Sequence, residues 1–124
     1  MHKLQQGDTR TGMAVDNIGA KIWRVDGDIH RTDGPAIVFA DGSKNWCQHN
    51  KLHRTDGPAI ENADGTKAWL LDDDYHRTDG PAIEYTSGSM SWYLRGDSLS
   101  FAEWLDQNQT LTDEEKVMMK LQYG

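Results

Sequence analysis

One heptapeptide concentrates the residue types that carry out chemistry in proteins. His-Arg-Thr-Asp-Gly-Pro-Ala occurs three times without a change, at 30–36, 53–59 and 76–82, and each copy starts 23 residues after the one before. It supplies imidazoles, guanidinium groups and carboxylates in three identical sets. Metal binding, phosphate binding and acid–base catalysis therefore each have to be weighed.

The histidines have the residue type of a metal centre but the wrong spacing. Ligands of one ion lie about 2 Å from it. Corresponding residues of successive hairpins are separated by two strand spacings, about 9–10 Å, so one ion cannot be shared along such a column. We predict no metal and no cofactor, and expect each ring to bond a turn carbonyl as a structural repeat residue. The histidines concerned are His30, His53 and His76.

Each arginine of the heptapeptide precedes an aspartate by two residues. Such a pair can orient its own loop, or the guanidinium can bind a phosphate-bearing ligand. We favour the structural role and keep the arginines as candidate binding residues. The pairs are Arg31 with Asp33, Arg54 with Asp56 and Arg77 with Asp79.

The sequence does not favour an enzyme. An active site is normally a single asymmetric set of residues, whereas this motif is repeated identically. Cys47 is the only cysteine, so an internal disulfide is impossible. Its column also holds Arg24, Leu70 and Tyr93, which indicates an ordinary strand position.

A fixed period of this length predicts a repeat architecture in which each unit packs on its neighbours. We predict a mainly β fold, an antiparallel β-hairpin repeat sheet with a C-terminal two-helix cap. Asp41-Gly42 is a strong two-residue hairpin signal, and proline is expected where the chain re-enters the sheet. A second set of turns is predicted at Asp26-Gly27, His49-Asn50, Asp73-Asp74 and Arg95-Gly96.

The tryptophans keep the same period, and two interpretations of them stay open. They can form a buried structural row, or a partly open row available to a ligand. We favour the buried row, with Trp69 more buried than Trp23, and take Trp46 and Trp69 as the ones that a ligand would contact. The row comprises Trp23, Trp46, Trp69 and Trp92.

The period changes to a helical one after residue 97. Ser100 with Glu103 forms one predicted capping box, and Thr112 with Glu115 another. Phe101, Trp104 and Leu105 are expected to pack near Trp92 and Leu94, and the apolar face of the second helix is assigned to Val117, Met118 and Leu121. Three acids at the start of that helix are predicted to be exposed and to be candidate partner contacts: Asp113, Glu114 and Glu115.

The length and the charge of the chain limit the number of domains and the classes of partner. We predict one domain made of residues 1–18 (an N-terminal segment with a degraded repeat), 19–97 (the repeats) and 98–124 (the helical cap). Thirteen basic against 20 acidic residues give a formal charge of −7, which repels nucleic-acid phosphates and anionic membranes. The polar start does not resemble a signal peptide, and we expect a cytoplasmic protein.

The repeated elements resemble a known group. Gly-x-Lys-x-Trp, then Lys-Leu-His-Arg, then Asp-Gly-Pro-Ala is similar to MORN-variant repeats, and most similar to His-Arg-x-Asp-Gly-Pro-Ala arrays of uncharacterised phage and viral proteins. The resemblance covers about residues 19–97. It implies a β-hairpin repeat, contacts with proteins or lipids, and no catalytic set. The spacing from tryptophan to its turn glycine is one residue longer than in the standard unit, which weakens the transfer of lipid binding.

Three hypotheses of function follow. The leading one is a non-enzymatic protein-binding module, phage-encoded and acting on a bacterial host protein in counter-defence or host takeover. The second is a small-ligand or nucleotide binder that uses the repeated tryptophans and arginines. The third is an acidic mimic of nucleic acid. The oligomeric state stays open.

Overall fold

The computed structural model describes residues 10–124, and the protein is mainly β, as predicted: a large antiparallel sheet is followed by two helices. The expectations for residues 1–9, a frayed end and the start of a degraded repeat, lie outside the described residues. The strands are β1 (Gly12–Val15), β2 (Lys21–Val25), β3 (Asp28–Ile29), β4 (Ile37–Val38), β5 (Lys44–Asn45), β6 (Cys47–Gln48), β7 (Lys51–Leu52), β8 (Ile60–Glu61), β9 (Lys67–Ala68), β10 (Leu70–Leu71), β11 (Asp74–Tyr75), β12 (Ile83–Glu84), β13 (Met90–Leu94) and β14 (Asp97–Leu99). The two helices that follow the sheet are α1 (Phe101–Gln107) and α2 (Asp113–Tyr123).

The chain alternates between one main sheet and a row of short hairpins. The main sheet runs in the order β1-β2-β4-β5-β8-β9-β12-β13-β14, with β3 paired to β2. The pairs β6–β7 and β10–β11 form separate two-stranded sheets. The two middle repeats therefore alternate between hairpins of the main sheet, β4–β5 and β8–β9, and hairpins outside it, β6–β7 and β10–β11.

The tryptophan backbone joins these two parts. Trp46 lies between β5 and β6; its N–H donates to the carbonyl of Ala59 at 2.7 Å, and its carbonyl accepts from the N–H of His53 at 2.9 Å. Trp69 makes the same two bonds in the next repeat. The 23-residue period thus places tryptophan where the chain leaves the main sheet.

The turns of the short hairpins require left-handed backbone at two consecutive residues. His49 and Asn50 have φ of 50° and 67°, as a two-residue type I′ turn demands. In the following repeat the turn is Asp72-Asp73, with φ of 47° and 71°, and the prediction of Asp73-Asp74 was wrong by one residue. The pairing of Leu71 with Asp74 leaves only residues 72 and 73 for the turn.

The Asp-Gly turns of the main sheet are of another kind. Gly42 has φ of 94°, whereas Asp41 is not left-handed, so the expected two-residue turn does not form there. The N–H of Gly42 donates to the carbonyl of Phe39 at 3.0 Å. The Asp41 carboxylate accepts from the N–H of Ser43 at 2.9 Å, and this backbone bond lowers the pKa of Asp41.

The core of the repeats lies between the main sheet and the short hairpins. It is built from Ala59, Ala68, Leu70 and Ile83, with Trp46, Leu52, Ile60, Tyr75 and Tyr93 packed against them. Cys47 is also buried, in the column of Leu70. Burial first, and then the charge of Asp73, raises the pKa of the Cys47 thiol to about 11, so the thiol is protonated at neutral pH. Cys47 lies in β6, the ordinary strand position that was predicted for it.

The two helices form a second core with the last hairpin. Both predicted capping boxes are present, Ser100 with Glu103 and Thr112 with Glu115. The backbone N–H of Ser100 donates to the Glu103 carboxylate, and this bond is the main reason why the pKa of Glu103 is lowered. The prediction that the first helix packs near Trp92 is confirmed. The cluster consists of Trp92, Leu94, Trp104, Leu105 and Met119, with Leu99, Phe101, Leu111 and Tyr123 packed against it.

The expected apolar face of α2 was wrong. Val117, Met118 and Leu121 are 56%, 65% and 78% exposed, whereas Met119 is buried. Tyr123 sets the rotation of the helix, because its ring meets that of Trp92 with centroids 5.0 Å apart. The sequence offers apolar residues on two sides of this helix, and only the packing on Trp92 selects one.

Within residues 10–124 the structure has no helix that is both long enough and apolar enough to cross a membrane.

Candidate functional site

The heptapeptide loop is closed by its own arginine. In the middle copy, Nε of Arg54 donates to Oδ1 of Asp56 at 2.9 Å, and Nη1 donates to the carbonyl of Pro58 at 3.1 Å. The corresponding distances are 3.0 and 3.1 Å in the first copy and 2.8 and 3.0 Å in the third. The guanidinium therefore holds the loop together, which is the structural role favoured above.

The same guanidinium covers a tryptophan ring. Cζ of Arg54 lies 3.6 Å from the centroid of Trp46. The distance is 4.1 Å for Arg31 on Trp23 and 3.7 Å for Arg77 on Trp69. A cation this close to an indole face gains a cation–π attraction of about 0.5–2 kcal/mol. Sequence reasoning missed this contact, although the constant offset of eight residues between tryptophan and arginine was visible.

A glycine of the loop contacts the guanidinium from the backbone. A Cβ on Gly57 would lie 2.8 Å from Cζ of Arg54, and Gly34 and Gly80 show the same conflict at 2.7 Å. None of these three glycines has a positive φ. Glycine is thus required here for space, whereas the turn glycine Gly42 is required for its backbone conformation.

Two of the three arginines have an additional carboxylate. Nη1 of Arg54 lies 3.0 Å from Oε2 of Glu61, and Nη1 of Arg77 lies 2.9 Å from Oε2 of Glu84. Val38 occupies the corresponding position in the first repeat. Arg31 is accordingly the most exposed of the three guanidinium groups.

The histidines bond to the next repeat. Nδ1 accepts from the backbone N–H of the first residue in the following type I′ turn. The distances are 3.0 Å from His49 to His30, 3.2 Å from Asp72 to His53 and 2.9 Å from Arg95 to His76. The predicted bond to a turn carbonyl was wrong, because a two-residue hairpin leaves this N–H without a partner of its own. Accepting at Nδ1 requires the proton of the neutral ring to be on Nε2.

The environment of His76 disfavours its charged form. Burial, and then the positive charge of Arg95, lowers the pKa of His76.

Among residues 10–124 there is no group of three or more His, Cys, Asp or Glu side chains that could hold a metal ion.

The tryptophan row is neither a closed core nor an open surface. Trp23, Trp46 and Trp69 are half-buried, and only Trp92 is buried. A guanidinium covers one face of each of the first three rings, and Trp46 also packs against the apolar core of the repeats, so the choice between a structural row and a ligand-binding row stays a prediction. The order of burial between Trp69 and Trp23 stays a prediction.

The cap replaces the arginine at Trp92. Ser100 stands where the period would place the fourth arginine. The ring of Trp92 instead meets those of Phe101, Trp104 and Tyr123, with centroids 4.8, 4.6 and 5.0 Å apart. Aromatic contacts of this kind need no charge partner. The repeat array therefore ends at Trp92, where aromatic side chains of the two helices take the place of the arginine guanidinium.

Two equivalent grooves open beside the loops. One, of about 500 Å³, lies over Trp69 and Leu71 between the loop segments 54–57 and 76–79. The other, of about 530 Å³, lies over Trp23 and Val25 beside the loop segment 30–33. The structure thus brings the candidate tryptophans and arginines of one repeat together.

The loop carboxylates face solvent above these grooves. Asp33, Asp56 and Asp79 are 85%, 80% and 78% exposed. They were predicted to be structural residues, and their bonds to the arginines give them that role.

The acidic candidates belong to a different element. Asp113, Glu114 and Glu115 are exposed at the start of α2, as predicted. The candidate residues therefore form two sets, one on the repeat loops and one on the cap. The exposed apolar residues Met118 and Leu121 were missed as a surface, because helical periodicity assigned them to the core.

Comparison with protein-family models, with curated proteins and with solved structures returned no match.

Proposed function

We propose that this chain is a non-enzymatic protein-binding module whose main contact surface is the outer face of α2. The observation that carries the proposal is that α2 has two apolar sides. Met119 is buried against the repeats, while Val117, Met118 and Leu121 are exposed on the other side. An apolar helix face without a covering element is typical of an interaction surface.

Helix geometry places these side chains in one stripe. Successive residues are about 100° apart around an α-helix, so positions three and four apart are neighbours. Glu114, Val117, Met118 and Leu121 are related by steps of three, four and seven. Burying an apolar side chain of this size stabilises a complex by about 1.5–3 kcal/mol. The stripe therefore has enough apolar surface to serve as the centre of a small contact.

The charges around the stripe indicate the chemistry of the partner. Glu114 lies within it, Asp113 and Glu115 flank it at the helix N-terminus, and the chain carries a formal charge of −7. A partner with an apolar patch edged by lysine or arginine complements this surface. Exposed charges of this kind mainly raise the association rate.

The resemblance of residues 19–97 to MORN-variant repeats of phage and viral proteins supports the biological part of the proposal. The partner is then a bacterial host protein, met in the host cytoplasm, and the chain acts by occupying it in counter-defence or host takeover.

Two geometric observations count against the alternatives. For a nucleotide binder, the indole face on which a base would stack already carries the protein's own guanidinium, at 3.6–4.1 Å. For a nucleic-acid mimic, the row of exposed loop aspartates has a spacing of about 9–10 Å, set by two strand spacings. A DNA strand carries one charge per about 3.4 Å.

Affinity capture from bacterial lysate with a matched pair of variants tests the proposal. Val117→Ser with Leu121→Ser removes the stripe, while Gln109→Ser changes an exposed polar residue between the helices. We expect a captured protein to be retained by wild type and Gln109→Ser, and its affinity for the purified stripe variant to fall about tenfold or more. A stripe variant with unchanged thermal unfolding that binds the same protein equally well would place the contact elsewhere.

A further inference from the structure

We propose a second binding surface, on the repeat loops, for a basic, proline-rich peptide in the polyproline II conformation. The surface consists of the two grooves over Trp23 and Trp69 with the row of exposed aspartates beside them. It shares no residue with the stripe on α2 and does not depend on the function proposed above.

The grooves offer the same groups at equivalent positions. Each has a half-buried tryptophan with an aliphatic neighbour, Val25 in one and Leu71 in the other. Each is edged by a histidine whose Nδ1 accepts a bond from the next turn, so that the Nε2 N–H remains as a donor. One face of each indole carries the arginine of its own repeat, so a proline would pack on the part of the ring that lines the groove and on the aliphatic neighbour. Proline-rich segments are recognised by aromatic-lined grooves with polar edges.

The spacing of the repeats selects the conformation of the ligand. Trp23 lies on β2 and Trp92 on β13, whereas Trp46 and Trp69 directly follow β5 and β9. In the sheet order one strand separates each of these strands from the next, which gives the tryptophans a spacing of about 9.4–9.8 Å. A polyproline II helix has three residues per turn and rises about 3.1 Å per residue, so it presents the same side every ~9.3 Å. A peptide with a three-residue period therefore stays in phase with the grooves.

Other peptide conformations lose this phase. A β-strand repeats its side chains every two residues, or about 6.6–6.8 Å. An α-helix needs seven residues, about 10.5 Å, to bring a side chain back to the same face. Two such repeats span about 21 Å, whereas the grooves at Trp23 and Trp69 are about 19 Å apart. Six residues of polyproline II cover about 18.6 Å, which matches the distance between the two grooves.

Charge selects basic side chains beside the prolines. A ligand above the loops meets the exposed carboxylates of Asp33, Asp56 and Asp79 before it meets the arginines, which are at most 26% exposed. Oδ1 of each aspartate accepts a hydrogen bond from its own arginine. None of these three bonds uses Oδ2, so that oxygen can accept from a cation of the ligand. A cation at every third position of the peptide matches this row.

The column beside the tryptophans supplies a test within the protein's own sequence. Val25 and Leu71 line the two grooves, and Gln48 occupies the corresponding position beside Trp46. Because all three residue types already occur in this column, exchanging them is compatible with the fold. Leu71→Gln makes the groove at Trp69 like the middle position, and Gln48→Leu adds a third apolar position.

The experiment is a titration, by isothermal calorimetry, with the twelve-residue peptide acetyl-(Pro-Pro-Arg)₄-amide. The control is acetyl-(Gly-Ser-Arg)₄-amide, which has the same charge and spacing of arginine but a flexible backbone. We expect the proline peptide to bind about tenfold more tightly than the control, Leu71→Gln to weaken it about fivefold and Gln48→Leu to tighten it. Val117→Ser with Leu121→Ser should leave this affinity unchanged, which separates the two proposals.

Three results would overturn the inference. Equal affinity for the two peptides would mean that net charge alone attracts them. No response of the affinity to Leu71→Gln and Gln48→Leu, with both variants folded, would place the peptide outside the grooves. Preferential binding of oligothymidine over the proline peptide would assign the tryptophans to nucleic acid.

Discussion

Gly57 shows how closely the side chains of one loop depend on each other. Its hydrogen lies where a methyl group would meet the Arg54 guanidinium, and that guanidinium covers Trp46 and bonds Asp56. A single added carbon therefore disturbs the cation–π contact, the ion pair and the loop closure together.

Gly57→Ala should destabilise the protein by about 1–3 kcal/mol, the usual cost of inserting a methyl group into a packed site. The measurement is urea unfolding of wild type, Gly57→Ala, Arg54→Ala and the double variant. In Arg54→Ala the space is vacated, so adding the methyl group should then cost clearly less. Equal costs of the alanine in both backgrounds would show that the guanidinium is not what excludes Cβ.

The bond between His76 and the following turn depends on the protonation state of the imidazole ring. Nδ1 of His76 can accept the N–H of Arg95 only while it carries no proton. Protonation replaces this attraction by the repulsion of two N–H groups, beside the positive charge of Arg95.

Stability should fall on acidification through His76. Its pKa is lowered in the folded state from the ordinary value of 6.5, so the unfolded chain takes up the proton first. The contribution is fully present above about pH 6.5 and is lost as pH falls from there toward the lower folded pKa. Urea midpoints at pH 7.5 and 5.5 should differ more for wild type than for His76→Asn. An identical decrease in both proteins would contradict this assignment.

At the scale of elements, two buried side chains anchor the cap to the last heptapeptide loop. Trp104 is fully buried, and its Nε1–H donates to the carbonyl of Arg77 at 2.9 Å. Asn108, also buried, donates to the carbonyl of Thr78 at 2.9 Å. Helix α1 thereby bonds the backbone of the third heptapeptide loop while its aromatic residues cover Trp92. The end of the array is therefore stabilised by Trp104 and Asn108, two residues of the cap that have no equivalent position in the repeats.

Trp104→Ala should cost about 3–5 kcal/mol, as expected for a large aromatic residue removed from a packed core. Trp69→Ala should cost less, because that ring is half-buried and covered mainly by Arg77. Chemical unfolding of both variants gives the comparison, with Trp104→Phe as a control that keeps the ring and loses the donor. A larger loss for Trp69→Ala would mean that the repeats, and not the cap, hold the main core.

At the scale of the whole molecule, stability is distributed along a one-dimensional array. Each repeat bonds the next through the histidine contact and through the second turn residue; for example, Oδ1 of Asn50 accepts from the N–H of Ile29 at 2.8 Å. Oδ1 of Asp73 accepts from the N–H of Leu52 at 2.7 Å in the following repeat. The residues of the second bond are numbered 23 higher than those of the first. If 23 residues are deleted, the repeats on either side of the deletion can therefore form the same contacts with each other.

Deleting residues 37–59, which joins Ala36 to Ile60, should therefore leave a folded protein of lower stability. In the shortened chain Glu61 takes the position that Val38 holds beside Arg31. We expect a single unfolding transition with a smaller urea m-value, because less surface is buried. As a control, deleting residues 37–58 breaks the period by one residue and should prevent folding. Loss of folding in both chains would show that the repeats are not interchangeable.

The sequence by itself determined the features that depend on local spacing. The 23-residue period, the mainly β fold and, apart from a shift of one residue at Asp72-Asp73, the second set of turns follow from residues close along the chain. Both capping boxes were predicted, since a serine or threonine three residues before a glutamate is sufficient to define them. The exposed acids at the start of α2 followed from the same pattern.

Only the tertiary structure decided the contacts that join distant residues. His76 and Arg95 are 19 residues apart, and local sequence does not show whether a turn offers a carbonyl or an N–H. The rotation of α2 depends on the meeting of Tyr123 with Trp92, since apolar residues occur on both of its sides. The requirement for glycine at position 57 arises from the guanidinium of Arg54, which lies over Trp46, eight residues earlier in the chain. In each case the deciding term is packing between elements, for which the periodicity of a single segment carries no information.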